Sequence, residues 1–139
     1  MNKTAILAAA GLGILALAGC GNPTDKLANP TQNQVNEACV VAAQTSTDSY
    51  DHPNGVEAYT AELTDSEKKD RLAALKILGN AESDEGQYVS PDIAEAAAEV
   101  TDVTDPAQFT AGSTNALRSA QIDCSYGFIK YTGDLDALQ

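Results

Sequence analysis

The chain divides by its hydrophobic pattern before any residue is considered singly. From Ala5 to Ala18 it is apolar apart from two glycines, and from Gly21 to Asn29 it is polar with one isolated Leu27. From Pro30 onward apolar residues return at helical spacing. Asn29 reads as an N-cap and Pro30 as a first helical residue, after which Thr31 to Gln44 carries Val35, Ala38, Cys39 and Ala42 on one face. The polar run Thr45 to Ser49 should end that helix, and Tyr50 to Gly55 should turn in solvent. Val56 to Leu63 has room for one or two helical turns.

The clearest helix is "LTDSEKKDRLAALKILGN". Thr64 and Glu67 form a capping box, Leu72, Leu75, Ile77 and Leu78 give an apolar side, and Gly79-Asn80 should stop it with a left-handed residue. Ala81 to Ser90 reads as a loop. Ser90 before Pro91 opens another helix with Ile93, Ala96, Ala97 and Val100 on its buried side. Asp105 with Gln108 repeats the capping pattern ahead of Phe109, and Gly112 to Asn115 should close that short element and admit a new helix near Ala116. From Ile122 the residues fit either a strand or a helical face. No second strand of equal strength exists to pair with, which favours helix or irregular packing. The expected fold is mainly α, a small helical bundle.

The apolar run Ala5 to Ala18 follows a single positive side chain, Lys3, and as a helix it would reach about 21 Å, short of the roughly 30 Å of a hydrocarbon core. A positive start, an apolar centre and small residues at the end are the parts of a secretory signal peptide. Here the small residues lead directly to a cysteine. Leu17-Ala18-Gly19-Cys20 resembles the lipobox of bacterial lipoproteins. The resemblance implies a diacylglyceryl group on the Cys20 sulfur and cleavage between Gly19 and Cys20, with a further acyl chain on the new amino terminus in many bacteria. It places the protein on the extracytoplasmic face of a bacterial membrane, held there by lipid. Gly21 lacks the aspartate that the family uses for inner-membrane retention, so an envelope with two membranes would send it to the outer one. The expected organisation is a signal peptide over 1–19, a lipidated cysteine and flexible tether over 20–29, and one acidic helical domain over 30–139.

Export changes the meaning of the other cysteines. With Cys20 assigned to lipid, Cys39 and Cys124 remain as an even pair in a compartment where disulfides persist. Their bond would close a loop of 85 residues, which on the loop-entropy account contributes about 4 kcal/mol. Charge narrows the partners. The whole chain carries 20 acidic and 8 basic residues, and loss of Lys3 with the signal leaves a formal charge of minus 13. Nucleic acid needs clustered Lys and Arg and is excluded as a partner; an anionic lipid surface is equally unsuited to the body of the domain.

Candidate chemistry is sparse. The one histidine, His52, lies in a Pro/Asn/Gly turn where Asp48 and Asp51 alone could join it, too few and too loosely placed for a metal site. No thiol is left for a nucleophilic pair, no phosphate loop appears, and the pairs Asp102/Asp105 and Asp134/Asp136 match neither a calcium loop nor a catalytic dyad. The expectation is a non-enzymatic protein without cofactor. Tyr126, Phe128 and Tyr131 crowd together after Cys124. They can complete the core around the disulfide, or Tyr126 and Tyr131 can face outward to bind a protein partner, with Phe128 inward. The membrane and a membrane or envelope protein are thus the expected partners, for which this chain would be an accessory or binding subunit. The alternative is a phage- or prophage-type lipoprotein that excludes other phages. At the level of class alone, with no matched positions, the chain is similar to small acidic lipoproteins of actinobacterial respiratory assemblies.

Overall fold

The computed structural model describes residues 30–81, 90–100 and 102–139. Among them are five α-helices: α1 Gln32–Tyr50, α2 Gly55–Glu62, α3 Asp65–Gly79, α4 Pro91–Glu99 and α5 Ala111–Tyr126. Two short 3-10 helices, Pro106–Gln108 and Leu135–Leu138, complete the described elements, and no strand occurs among them. The fold is mainly α, as the periodicity requires, and a Cys39–Cys124 disulfide joins α1 to α5 across a Cα–Cα distance of 6.0 Å.

Three of the five helices, α1, α3 and α5, begin where a reciprocal side-chain box satisfies free N–H groups. On α1 the cap is Thr31, two residues later than Asn29: Thr31 Oγ1 accepts from the Gln34 N–H at 3.2 Å and Gln34 Oε1 accepts from the Thr31 N–H at 2.8 Å. This reciprocal pair fixes the start more firmly than a lone cap would. The helix also runs to Tyr50 instead of stopping near Gln44. The hydroxyls of Thr45 and Ser49 donate back to the carbonyls of Val41 and Ser46, at 2.8 and 3.3 Å, and both residues are buried. Turned onto their own helix, these hydroxyls find partners while buried, so they do not break it.

Helix α3 opens on the expected Thr64/Glu67 box, with Glu67 Oε2 accepting from the Thr64 N–H at 2.7 Å. That bond, followed by the one to the Thr64 hydroxyl, holds the Glu67 carboxyl below its ordinary value. Leu72, Leu75, Ile77 and Leu78 are wholly buried, each worth about 1.5–3 kcal/mol against exposure. The expected left-handed stop is absent: Gly79 is helical and Asn80 has φ −113°. Asn80 ends the helix by donating from Nδ2 to the Lys76 carbonyl at 2.8 Å. Gly79 serves instead for close approach, since a Cβ there would overlap that of Ala97 on α4.

Helix α4 starts at Ser90-Pro91 as expected, but the Ser90 hydroxyl donates to Asp123 Oδ2 on α5, at 2.6 Å, and leaves the helix end uncapped by its side chain. Its C-terminal carbonyls are met by Lys76, whose Nζ donates to Ala97 O and Val100 O at 3.2 and 3.0 Å. Helix α5 absorbs Gly112 to Asn115, which were expected to separate two helices. Thr110 and Ser113 make the box that begins it, and Ser113 and Thr114 are buried inside its first turns.

In the bundle α1 packs most extensively on α5 and α3, and α4 lies against α3 and α5. Helices α1 and α5 are antiparallel. Gln32 Nε2 donates to the Lys130 carbonyl at 2.8 Å, and Asn36 exchanges two bonds with Thr132, so the start of α1 is stitched just beyond the end of α5. The core is Val35, Ala38, Cys39 and Ala42 of α1, the aliphatic side of α3, Ile93 and Ala97 of α4, and Leu117, Ala120 and Cys124 of α5, closed by Phe109, Ile129 and Leu138. Beside it the buried Arg71 donates to the Tyr59 hydroxyl at 3.2 Å and the Glu67 carbonyl at 3.3 Å.

Candidate functional site

The residues singled out in the sequence fall into three places. Gly19 and Cys20, and the loop expected between Ala81 and Ser90 except for its two end residues, lie outside the described residues. Cys39 and Cys124 are joined and buried at the seam of α1 and α5. Tyr126 and Tyr131 lie at the end of the bundle where α5 finishes, and the structure treats them differently.

Helix α5 ends on Gly127, whose φ of +84° is left-handed. That turn determines which neighbour goes inward. The Ile129 N–H donates to the Asp123 carbonyl at 3.1 Å and its side chain is wholly buried. Phe128, expected inward, is consequently turned out and is 57 % exposed. Tyr126, on the last turn, is 76 % exposed, and Ile122 one turn before it is 51 % exposed. Residues four apart share a helix face, so Ile122 and Tyr126 form a short ridge, and Phe128 is exposed just past the glycine that ends the helix.

Tyr131 is half-buried against the core. Its hydroxyl donates to the Asp134 carbonyl at 2.9 Å, and Gly133 leaves room for its ring, where a Cβ would collide with it. Burial, with the Asp134 charge adding to it, pushes the Tyr131 phenol above its ordinary value. Its ring fastens the C-terminal segment, and the large exposed surface belongs to Tyr126, Phe128 and Ile122. Sequence periodicity offers no signal for this ridge, because an apolar pair at i and i+4 reads the same whether it faces a core or solvent.

The polar candidates are engaged locally. His52 Nε2 meets Glu62 Oε2 at 2.9 Å, its Nδ1 accepts from the Asn54 N–H at 3.3 Å, and the ring stands edge-on to Tyr59. Its partners are thus Glu62 and Asn54, with neither Asp48 nor Asp51 among them. Asp102 accepts from the hydroxyl and N–H of Thr104 at 2.6 and 2.8 Å, the hydroxyl bond chiefly holding its carboxyl below the ordinary value. Asp105 caps Ala107 at 2.9 Å and Asp134 caps Asp136 at 3.0 Å. These carboxylates shape turns. Among the described residues no group of three or more His, Cys, Asp or Glu side chains could hold a metal ion.

A shallow groove of about 300 Å³ runs between α1 and the C-terminal 3-10 helix, lined by Val40, Ala43, Gln44, Thr47, Asp48, Ala137 and Gln139. No described helix is long and apolar enough to cross a membrane. No family model, curated protein or solved structure matches the chain.

Proposed function

We propose that this chain is an extracytoplasmic lipoprotein, anchored through Cys20, that acts by contact as an accessory or binding subunit of a membrane or envelope protein complex. The observation that carries the reading is the sequence Leu17-Ala18-Gly19-Cys20 directly behind an apolar segment with a positive start. The joined cysteines agree with it, because a disulfide buried in the core suits a chain that folds outside the cytoplasm. Lipid confines the domain beside partners held in the same membrane, so a modest interface becomes effective through local concentration.

Purification of the lipidated protein from its native membrane in mild detergent tests this function. The expected result is a stoichiometric membrane or envelope protein in the eluate. Recovery of the lipoprotein alone, together with saturable binding of a small ligand to its domain, would overturn it.

A further inference from the structure

The position of the exposed ridge relative to the anchor has a physical consequence. The segment that leads from Cys20 joins the bundle at Thr31, and Gln32 is bonded to the Lys130 carbonyl at 2.8 Å. Phe128 is only two residues from Lys130, so Gln32 and Phe128 are no more than about 18 Å apart. The twelve residue steps from Cys20 to Gln32 can reach at most about 40 Å. The opposite end of α1, at Tyr50, lies about 28 Å farther along a helix of 19 residues.

We infer that Ile122, Tyr126 and Phe128 seat in the headgroup region of the bilayer that holds the Cys20 lipid, and so orient the domain with α1 rising away from the membrane. Aromatic side chains with one apolar body and a polar or solvent-facing edge concentrate at that interface. Three of the six large apolar residues that the described surface exposes lie within this one seven-residue stretch, at the end the anchor holds closest to lipid. The strong negative charge of the domain opposes contact with anionic lipid, but the ridge itself is uncharged. A zwitterionic surface is therefore the occupant its chemistry fits. The acyl chains supply proximity; the ridge supplies direction.

The inference rests on the anchor reading, and one experiment separates the two. The chain contains no Trp, so Phe128→Trp and Tyr50→Trp each introduce a single fluorophore at an exposed position at opposite ends of α1. Each full-length variant, purified with whatever lipid it carries, is placed in phosphatidylcholine vesicles containing headgroup-proximal brominated lipid, and its intact mass is measured. The expected result is an acylated chain in which Phe128→Trp emission shifts to the blue and loses more than half its intensity to the quencher, while Tyr50→Trp emission does neither. An acylated chain in which both variants emit as in water overturns the ridge and leaves the anchor standing. A blue shift without quenching means that protein, such as a second copy, covers the ridge, and also overturns it. A mass without acyl groups overturns both readings.

Discussion

Two of the helix seams in this bundle, α1–α5 and α3–α4, are made in opposite ways. Between α1 and α5 the contact is fastened by bonds that can be counted: the disulfide in the middle and the Asn36–Thr132 and Gln32–Lys130 hydrogen bonds at the end. Between α3 and α4 it is fastened by the absence of atoms, with Gly79 admitting Ala97 and the Lys76 ammonium closing over the end of α4. The first seam depends on the redox state of its surroundings, the second on shape and on the Lys76 hydrogen bonds. The exposed residues Ile122, Tyr126 and Phe128 and the start of α1 both lie beside the first. Under reducing conditions the α3–α4 seam would remain and the other would lose its covalent clip.

Breaking the comparison at its strongest point should have the largest effect. Replacing Cys39 and Cys124 together by Ala is expected to destabilise the domain by about 2–5 kcal/mol, measured by urea unfolding, with wild type plus reductant moving in the same direction. Equal unfolding midpoints with and without the bond would mean that the clip contributes nothing. On the other seam, Gly79→Ala should destabilise by about 1–3 kcal/mol by forcing α4 away. The double variant Gly79→Ala/Ala97→Gly should recover most of that loss, because the colliding atom has been removed from the facing helix. Additive losses in the cycle would show that the two residues do not meet.

The polar closure of the second seam is worth less. Lys76→Met keeps the aliphatic stem but withdraws the donor from Ala97 O and Val100 O, and should lower stability by about 1 kcal/mol. The smallest effect is expected at Asp70, whose Oδ1 is buried without a hydrogen-bond partner and whose carboxyl is pushed above its ordinary value by burial, against the opposing pull of Arg71. A raised folded value means that the folded state holds the proton more tightly than the unfolded chain does. Stability from this group therefore falls as pH rises from the ordinary Asp range through the raised value. Asp70→Asn should remove that decline, raising stability at neutral pH by less than about 0.5 kcal/mol and leaving it unchanged at acid pH below both values. A loss at neutral pH would show that the Arg71 attraction dominates.

The unequal legibility of the sequence follows the same physical lines. Reciprocal caps announce themselves, so α3 with Thr64 and Glu67 was readable to within a residue, as was the start of α4 at Ser90-Pro91. Apolar aliphatics at helical spacing marked the core of α3, and elimination paired Cys39 with Cys124. What escaped was decided by tertiary context. Thr45 and Ser49 look like a helix end until their hydroxyls turn back onto α1, and Gly112 to Asn115 look like a break until Ser113 takes part in the α5 cap. At the end of α5 the sequence allows Tyr126 to face outward, and it is exposed, whereas Phe128, expected inward, is exposed too. Its direction is set by the left-handed Gly127 and the burial of Ile129, a choice between neighbours that hydrophobicity alone does not make.

The central proposal is that export, lipid and disulfide belong together: a bundle clipped outside the cytoplasm and kept near the membrane by a lipid on Cys20. Intact mass spectrometry of the protein from its native membrane, with thiols alkylated under denaturing conditions before any reductant is added, tests this most directly. The account predicts a chain that begins at Cys20, carries a diacylglyceryl group on it, and has neither Cys39 nor Cys124 alkylated. A 14.4 kDa chain still beginning at Met1, without acyl groups and with its cysteines alkylated, would contradict it.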